Sequence, residues 1–375
     1  MATTTTTSTS TKKYNPFAGF TENEDEAIAT GIGARKVAAG DIPPVTEIPI
    51  IDLAEAFSDN IDKRKAVAKK IFTACSQIGF FYIKNHGVDA ELVEKSQQMG
   101  LRFFQDLTHE QKMELSMSKN ETEYFGYAPK AVQMPDGAIK RRMYETIHFG
   151  YDATLDPGAE DKPWDSSYNF WPSNEMLPGF KSTLGAYYTA IMGLSRKLLK
   201  LFALSLELDE DYFDQFSKHP GVNLALNYYE AAAPQNPEGS GIFAHSDLEV
   251  FTILCQDEVK SLEVLSNTGS WLPANPIPGH FVINVGDTLS MWTNGIFQST
   301  IHRAYNIEGK TRLSLPFFFG ADYDAIMETL PSCITEENPA RFNPVQIGVY
   351  QKERLHLQYP EGKKEATKSN VVKGA

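Results

Sequence analysis

Two histidines and an aspartate have the types and spacing of a mononuclear metal site. His245 and Asp247 are separated by one residue just before the apolar run VFTILCQD (250–257), and His302 opens a later short run. In an extended segment, residues i and i+2 point to the same face, so His245 and Asp247 can share one ion. Two imidazoles and one carboxylate leave positions open for O2 and a bidentate cosubstrate, which is typical of Fe(II) oxygenases. We predict these three residues as metal ligands and no further catalytic side chain.

An arginine and a serine follow the second histidine on one predicted strand. Arg312 and Ser314 alternate in RLSLPFFF (312–319), so they share a face with Pro316 and Phe318. A guanidinium inside an apolar barrel is costly unless an anion meets it, and its forked donors match a carboxylate. The pattern predicts a buried carboxylate ligand about one barrel width from the metal. Pairing of Arg312 with an internal Asp or Glu is the structural alternative.

Asn227 and Tyr229 share a face of VNLALNYY (222–229), together with Asn223 and Ala225. The amide and the phenol can donate hydrogen bonds to a bound anion or keto acid. Hydrogen-bonded core residues of a strand would show the same pattern. The residues alone leave both interpretations open.

The elements that position these side chains change in character near residue 220. Before it, apolar residues recur at helical spacing over about 62–78, 89–105 and 178–206, and Thr108 with Gln111 forms a candidate capping box. After it, short apolar runs alternate with Gly, Pro, Asn and Asp, which is typical of a sandwich or barrel. One of these predicted strands is TLSMWT (288–293).

Charge and composition exclude several classes of partner. The 375 residues carry a formal net charge of −13 and are 42% apolar, which permits a large core and disfavours nucleic acid and anionic membranes as partners. No run of apolar residues is long enough for a transmembrane helix, and the Thr/Ser-rich start has no secretory core. Cys75, Cys255 and Cys333 show no metal-type spacing, so reduced thiols are expected. We expect a cytoplasmic monomer or weak homodimer.

Taken together, these motifs resemble the isopenicillin N synthase-like family of 2-oxoglutarate/Fe(II) oxygenases over about residues 46–357. The matching pieces are IPIIDL (48–53), GFFYIKNHGV (79–88), FFQDLTHEQK (103–112), FGY (125–127), NFWP (169–172), NYY (227–229), HSD (245–247), NVGD (284–287), NG (294–295), STIHR (299–303) and RLSLPFF (312–318). The set is specific jointly, whereas each piece alone is weak.

The resemblance implies a mainly β fold with flanking helices around a double-stranded β-helix, or jelly roll. Within the matching part we expect a helix-rich region over 46–210 and the jelly-roll core with a C-terminal helix over 211–357. Outside it, the Thr/Ser-rich start indicates a disordered tail and lead-in over 1–45, and a second tail is expected over 358–375. The chain departs from the family at Phe125-Gly126-Tyr127, at Glu230 and at Gly348-Val349-Tyr350. These departures lie outside the iron and Arg-x-Ser motifs, so they bear on the substrate.

The family's cofactors are Fe(II), 2-oxoglutarate and O2, with ascorbate as a reductant. By resemblance, His245, Asp247 and His302 would hold the iron. Arg312 and Ser314 would hold the distal carboxylate of 2-oxoglutarate, with Asn227 and Tyr229 beside it. The expected reaction is hydroxylation, desaturation or ring rearrangement of a small molecule, with release of succinate and CO2. A secondary-metabolite substrate is expected by analogy.

Strand parity and the family layout predict a largely aromatic substrate pocket on the open side of the iron. The predicted lining residues are Asn223, Phe125, Met143, Phe149, Phe243, Phe251 and Phe319, with Tyr144 nearby. Three alternatives stay open: an isopenicillin N synthase-like oxidase that needs no 2-oxoglutarate, a non-catalytic binding protein on the same fold, and a zinc hydrolase, since two histidines and an aspartate also suit Zn2+.

Overall fold

The computed structural model describes residues 29–30, 33–34, 44–120, 124–133, 139–141, 143–159, 166–231, 241–306 and 308–358. The tails predicted over 1–45 and 358–375 lie, apart from a few residues, outside this part of the chain. Within it, no helix is long and apolar enough to cross a membrane.

Six α-helices flank the β-structure in the described part of the chain. They are α1 Ile61–Gln77, α2 Ala90–Asp106, α3 His109–Glu114, α4 Phe180–Ser205, α5 Asp287–Trp292 and α6 Ile347–Gln358. Polar side chains start the first three: Asn60 accepts from the Asp62 amide, Asp89 from the Leu92 amide, and Thr108 forms the predicted capping box with Gln111. The long helices predicted from apolar spacing are therefore confirmed with small shifts of their ends.

Twelve strands form the two sheets that carry the site. They are β1 Ile50–Asp52, β2 Phe80–Lys84, β3 Gly126–Ala128, β4 Glu145–Gly150, β5 Pro220–Tyr229, β6 Gly241–His245, β7 Phe251–Gln256, β8 Leu262–Leu265, β9 Trp271–Pro273, β10 Phe281–Val285, β11 His302–Tyr305 and β12 Arg312–Asp322. Three two-stranded pairs are added: Ala29–Thr30 with Gly33–Ala34, Ala131–Gln133 with Ile139–Arg141, and Ile326–Met327 with Val345–Gln346.

The two sheets face each other as the predicted jelly roll requires. The larger has the order β1-β2-β10-β7-β12-β5-β4-β3, and the smaller has the order β6-β11-β8-β9. All neighbours are antiparallel except β1 and β2. The non-sequential order places the chain's late strand β12 in the middle of the large sheet. The mainly β fold with flanking helices is confirmed.

The large sheet has one face against the helices and one face inside the barrel. Leu226 and Leu313 on the helix-facing side approach Gly100 of α2 so closely that a Cβ there would lie 2.9 Å from Leu313. Helix α4 is buried along most of its length and packs against α1 and α2. Side chains alternate along each strand, so the residues beside Leu226 and Leu313 point into the barrel.

Two predicted elements differ from the structure. TLSMWT (288–293) is not a strand, because Asp287–Trp292 forms α5, and all six of its residues are buried. A segment that is buried on every side has no exposed polar face, so the spacing of its apolar residues does not show whether it is a helix or a strand. Conversely, no strand was predicted between the helical runs at 89–105 and 178–206, yet this part of the chain contributes β3 and β4 to the large sheet, where β4 pairs with β5 from Glu145 to Gly150.

Candidate active site

The three predicted ligands converge at one end of the barrel. His245 ends β6 and His302 begins β11, and the two residues are direct cross-strand partners. The Nε2 atoms of both imidazoles lie 3.6 Å from Oδ1 of Asp247, and one donor atom from each residue lies within 4.8 Å of the others. The His245 side chain keeps 24% of its surface exposed, against 5% for Asp247, so the open side of the cluster is the His245 side.

Backbone carbonyls fix which ring nitrogen of each histidine faces the cluster. The Nδ1 atom of His245 lies 2.7 Å from the Phe243 carbonyl, and Nδ1 of His302 lies 3.1 Å from the Thr300 carbonyl. A carbonyl only accepts, so each Nδ1 carries the hydrogen and each Nε2 is left with a lone pair. This arrangement orients an imidazole for metal ligation.

The two oxygens of Asp247 are used differently. Oδ2 accepts a hydrogen bond from the Thr252 hydroxyl at 2.6 Å and from the Asn284 amide at 2.7 Å, which leaves Oδ1 facing the two imidazoles. Thr252 and Asn284 are cross-strand partners on β7 and β10. The rigid centre of the large sheet therefore sets the direction of the carboxylate.

The ionisation of the cluster suits a cation. Burial and the charge of His302 lower the pKa of His245 to about 4, so its imidazole is neutral at ordinary pH. Burial acts to raise the pKa of Asp247, but His302, His245 and the bonds from Thr252 and Asn284 outweigh it and lower that pKa. Neutral imidazoles and an ionised carboxylate are the forms that bind metal. This donor set fits Fe(II).

A buried carboxylate ties the two ligand segments together. Asp287 is fully buried and accepts from Ser299 at 2.5 Å, from Ser246 at 3.3 Å and from Tyr350 of α6 at 3.2 Å. Its backbone N–H donates to the Asp247 carbonyl at 2.8 Å. Burial raises the pKa of Asp287 to about 6. Asp287 therefore connects the segment that precedes His302 with the segment that contains Asp247.

Replacing Thr252 with valine tests the support of Asp247. The variant keeps the side-chain shape but removes one of the two donors that direct Oδ2, and such supporting contacts typically change metal affinity by about 10- to 100-fold. We expect Fe(II) affinity, measured by anaerobic titration, to fall within that range. Thr293→Val is the matched control, because Thr293 is equally buried but donates to Leu289 within α5. Equal Fe(II) affinity in wild type and Thr252→Val would contradict this role.

Arg312 lies inside the barrel, where the Asp257 carboxylate interacts with it electrostatically but is not within ion-pair distance. It is 2% exposed, and Nη2 donates to Gln256 Oε1 at 3.3 Å. Its Nε and Nη1 have no hydrogen-bond partner, and no carboxylate of the described residues forms an ion pair with it. Ser314, also 2% exposed, is on the same face of β12. Two orphaned donors beside a serine hydroxyl fit a carboxylate of 2-oxoglutarate.

The two β5 residues predicted beside this pocket face the same interior. Asn227 is the cross-strand partner of Ser314, and Tyr229 is the partner of Arg312. The guanidinium of Arg312 lies 4.9 Å from the centre of the Tyr229 ring, and the centre of the Tyr144 ring lies 5.2 Å from that of Tyr229. Asn227 Oδ1 accepts from Thr146 at 2.7 Å. The arrangement brings Asn227, Tyr229, Arg312 and Ser314 together on one wall.

The predicted substrate lining divides into two groups. Phe149, Phe251 and Phe319 are fully buried on the helix-facing side: Phe149 stacks on Trp171, and Phe251 packs between Phe202 and Phe319. Placing these three in the pocket was wrong, because their side chains point to the opposite face of the sheet from those of Asn227, Thr252 and Ser314. Each of these interior polar residues lies on the same strand as one of the phenylalanines or on the adjoining strand.

The structure does not contradict the other four predicted lining residues. Asn223 is on the Asn227 face of β5. Phe125 covers the inward side of Gly150, where an added Cβ would come within 2.6 Å of its ring. Phe243 is 67% exposed and its carbonyl contacts His245, and Met143 is partly buried. These four remain predicted substrate contacts.

Several interior residues were not predicted from the sequence. They are Thr146, His148, Thr252, Gln256 and Asn284. Strand parity had already placed Phe318 on the face of Arg312 and Ser314, although it was not named among the pocket residues. Thr146 and His148 needed the cross-strand register of β4 with β5, which sequence spacing alone does not supply.

Glu249 is an ionisable side chain two residues from Asp247. Burial and the charge of Asp247 raise the pKa of Glu249 to about 8. An unfolded glutamate has a pKa near 4.3, so the unfolded state releases this proton first and the protein loses stability as the pH rises from there towards 8.

In metal-free protein, Glu249→Gln should therefore raise the thermal midpoint relative to wild type at pH 8. The glutamine keeps the shape of the neutral acid without the charge that is costly to bury. The difference should grow between pH 5 and pH 8 and level off above that range, as measured by calorimetry. Glu263→Gln, on the outer face of the small sheet with Arg303 at 2.8 Å, should show no such growth. A Glu249→Gln gain that is independent of pH would contradict this assignment.

Fold and site together define a mononuclear non-haem iron oxygenase on a jelly roll. Two family models match the chain: the non-haem dioxygenase N-terminal region, described from morphine synthesis, over residues 48–174, and the 2OG-Fe(II) oxygenase superfamily over residues 220–321. The chain belongs to the 2OG-Fe(II) oxygenase superfamily and is a non-haem Fe(II)/2-oxoglutarate-dependent dioxygenase.

Named relatives and a solved structure match more than four fifths of the chain. A 2-oxoglutarate-Fe(II) type oxidoreductase, ppzC, of Metarhizium majus is 35% identical over 83% of this chain and 87% of its own. Azadirone synthase LFS of Melia azedarach is 31% identical over 85% of this chain and 95% of its own. The crystal structure of Neurospora crassa T7H with alpha-KG and thymine is 25% identical, with a TM-score of 0.71 over 87% of this chain and 100% of that one.

Proposed function

We propose that His245, Asp247 and His302 hold the iron, that Arg312 and Ser314 hold the distal carboxylate of 2-oxoglutarate, and that the enzyme oxidises a small secondary metabolite. The observation that carries this proposal is the buried guanidinium with two unpartnered donors on the interior wall of the barrel that holds the His/Asp/His cluster. A buried charge without an ion-pair partner is costly, so we expect an anion to bind beside this guanidinium.

The chain's own residues perform three tasks in this reaction. The Phe243 and Thr300 carbonyls keep Nε2 of each histidine turned to the metal position, while Thr252 and Asn284 hold Oδ1 of Asp247 there. Arg312 and Ser314 orient the cosubstrate by its distal end, and Asn227 lies beside its path. When bound, Fe(II) supplies the redox chemistry that couples O2 reduction to substrate oxidation.

The net reaction consumes O2 and 2-oxoglutarate and releases succinate and CO2. One oxygen atom goes to succinate, and the other leaves in a hydroxylated product or as water after desaturation or ring rearrangement. Names of relatives, such as azadirone synthase, support a natural-product substrate. Phe125, Met143, Phe243 and Asn223 supply a mixed aromatic and polar lining for it. Ascorbate serves as the reductant that keeps the iron ferrous.

The enzyme is further proposed to act as a cytoplasmic monomer or weak homodimer without nucleic-acid or membrane partners. The net charge of −13 supports the last two points, since anionic surfaces repel both partners.

Substrate-stimulated succinate formation tests the proposed function. Purified protein with Fe(II) and ascorbate is screened against a natural-product library with and without 2-oxoglutarate, and O2 uptake and succinate are measured together. We expect both to rise for a subset of compounds only when 2-oxoglutarate is present. O2 uptake that is independent of 2-oxoglutarate would instead favour an isopenicillin N synthase-like oxidase. Succinate formation without added substrate is the uncoupled background to subtract.

A further inference from the structure

A chain of hydrogen bonds runs along the barrel wall from the cosubstrate pocket towards its open end. Thr146 and His148 alternate on β4, and Asn227 and Asn223 are on the neighbouring β5. The Thr146 hydroxyl donates to Asn227 Oδ1 at 2.7 Å and lies 3.0 Å from His148 Nε2. The other ring nitrogen of His148, Nδ1, lies 3.1 Å from the Asn223 amide oxygen. Ala225, the cross-strand partner of His148, is small and leaves room for the ring.

The number of hydrogens in this chain restricts its direction. Thr146 has one hydroxyl hydrogen, so when it donates to Asn227 its oxygen must accept from the N–H of His148 Nε2. A neutral imidazole then has a bare Nδ1, which needs a donor. A half-turn of the Asn223 amide, which keeps its shape, places the NH2 group there and turns the carbonyl oxygen away from His148. The orientation of the Asn227 amide therefore determines the orientation of the Asn223 amide, and the reverse also holds.

An anion beside Asn227 selects one of the two directions in which the hydrogen bonds of this chain can be donated. This step rests on the proposed function, in which 2-oxoglutarate lies along this wall. An amide meets a carboxylate with its NH2 group, because a carbonyl oxygen there would be repelled. Among the described residues nothing accepts from the Asn227 amide nitrogen, whereas its oxygen is engaged with Thr146. The bound cosubstrate therefore favours the direction in which Thr146 donates to Asn227.

We propose that Thr146 and His148 transmit the orientation of the Asn227 amide to Asn223, so that with 2-oxoglutarate bound Asn223 presents its carbonyl oxygen to the cavity and selects substrates that carry an O–H or N–H donor. Asn223 is the specificity-determining residue, and Thr146 and His148 are positioning residues. Substrates whose corresponding hydrogen is replaced by methyl are rejected.

The position of Asn223 suits contact with a substrate at the metal. Its cross-strand partner on β12 is Phe318, whose own partner on β7 is Thr252, the donor to Asp247. Two strand spacings separate Asn223 from Thr252, roughly 10 Å, which is about the width of a small ring system. Asn223 is only partly buried, and its single described hydrogen-bond partner is His148. The remaining end of the amide is therefore available to a substrate.

Nitrogen NMR of His148 tests the transmission directly. Zn(II)-loaded protein labelled with 15N-histidine is observed at pH 8, where an imidazole ordinarily carries one N–H, with His148→Gln used to assign the signal. We expect addition of 2-oxoglutarate to place the hydrogen on Nε2 with Nδ1 bare. In Thr146→Val, which breaks the chain between Asn227 and His148, the cosubstrate should no longer change the tautomer. A doubly protonated ring, or an N–H on Nδ1, in the wild-type complex overturns the proposal.

Calorimetry on the same Zn(II)-loaded samples separates this proposal from the proposed function. If 2-oxoglutarate binds and the tautomer is wrong, only the inference about His148 and Asn223 fails. If 2-oxoglutarate does not bind, the cosubstrate role and the inference fall together. Thr146→Val should bind 2-oxoglutarate within a few-fold of wild type, because the Arg312 and Ser314 contacts are untouched.

Paired fragments test the preference for a donor. Aromatic alcohols and amides, each with its O- or N-methyl counterpart, are screened by ligand-observed NMR against the Zn(II)/2-oxoglutarate complex. We expect the donor-bearing members to bind about tenfold or more tightly than their methylated partners, and Asn223→Leu to abolish that difference. Equal binding of both members, or a preference that persists in Asn223→Leu, overturns the proposal, as does a screen in which no donor-bearing member binds.

Discussion

Asp247→Asn is expected to reduce Fe(II)-dependent turnover to background while leaving the fold intact. The Thr252 hydroxyl and the Asn284 amide both donate to Oδ2 of the native carboxylate. An amide of the same shape keeps those two bonds only with its oxygen turned to them, so its NH2 group points at the metal position. An NH2 group cannot ligate a cation, and the negative charge between the two imidazoles is lost as well.

The measurements for Asp247→Asn are anaerobic Fe(II) titration, succinate formation and thermal unfolding of the metal-free protein. We expect Fe(II) affinity to fall by more than about 100-fold, beyond the range typical of supporting contacts. Asp322→Asn is the matched control: it is a mostly buried aspartate at the far end of β12, where it accepts from the Lys218 and His219 amides. The control should lose some stability but no iron affinity. Normal Fe(II) binding by Asp247→Asn would remove Asp247 from the ligand set.

The clustering of His245, Asp247 and His302 could be predicted because each depends on a local rule. The His-x-Asp spacing in an extended segment sets one face, and a second histidine at the start of a strand needs only one correct pairing, that of β6 with β11. Arg312 and Ser314 follow from the same alternation along β12. The hydrogen bonds to Thr252, Asn284 and Asp287 required the order of strands in the sheet, which the sequence does not specify.

The errors in the predicted pocket have the same origin. Phe319 was chosen although Arg312 and Ser314 already placed Phe318 on the interior face. A strand that is buried on both sides is apolar on both sides, so hydrophobicity alone does not tell the helix face from the barrel face. Only a polar residue whose side chain is expected to point into the barrel, such as Ser314, shows which alternate residues of the strand share that face. His148 illustrates the limit, because its direction depends on the pairing of β4 with β5 across a long stretch of chain.

Arg312→Met is expected to change stability and cosubstrate binding in opposite directions. Without ligand, the guanidinium is buried with Nε and Nη1 unpartnered, so an apolar side chain of similar length should raise the thermal midpoint. With 2-oxoglutarate, removing one partner of a buried charge pair costs about 2–5 kcal/mol, or roughly 30- to 5000-fold in affinity. A merely structural arginine would lower the midpoint when replaced.

Thermal unfolding of Zn(II)-loaded protein over a range of 2-oxoglutarate concentrations reports both effects at once. The wild-type midpoint should climb with ligand, as binding to the folded state requires, whereas the Arg312→Met midpoint starts higher and climbs only at ligand concentrations that are greater by about the loss in affinity. Arg303→Met is the control, since Arg303 pairs with Glu263 at 2.8 Å and lies 3.9 Å from the Trp271 ring on the outer face of the small sheet. It should lose stability and keep the ligand response. The buried charge of Arg312 is therefore a cost to the empty protein that binding of the cosubstrate offsets. An Arg312→Met midpoint that rises with 2-oxoglutarate as steeply as wild type would mean that the cosubstrate carboxylate lies elsewhere.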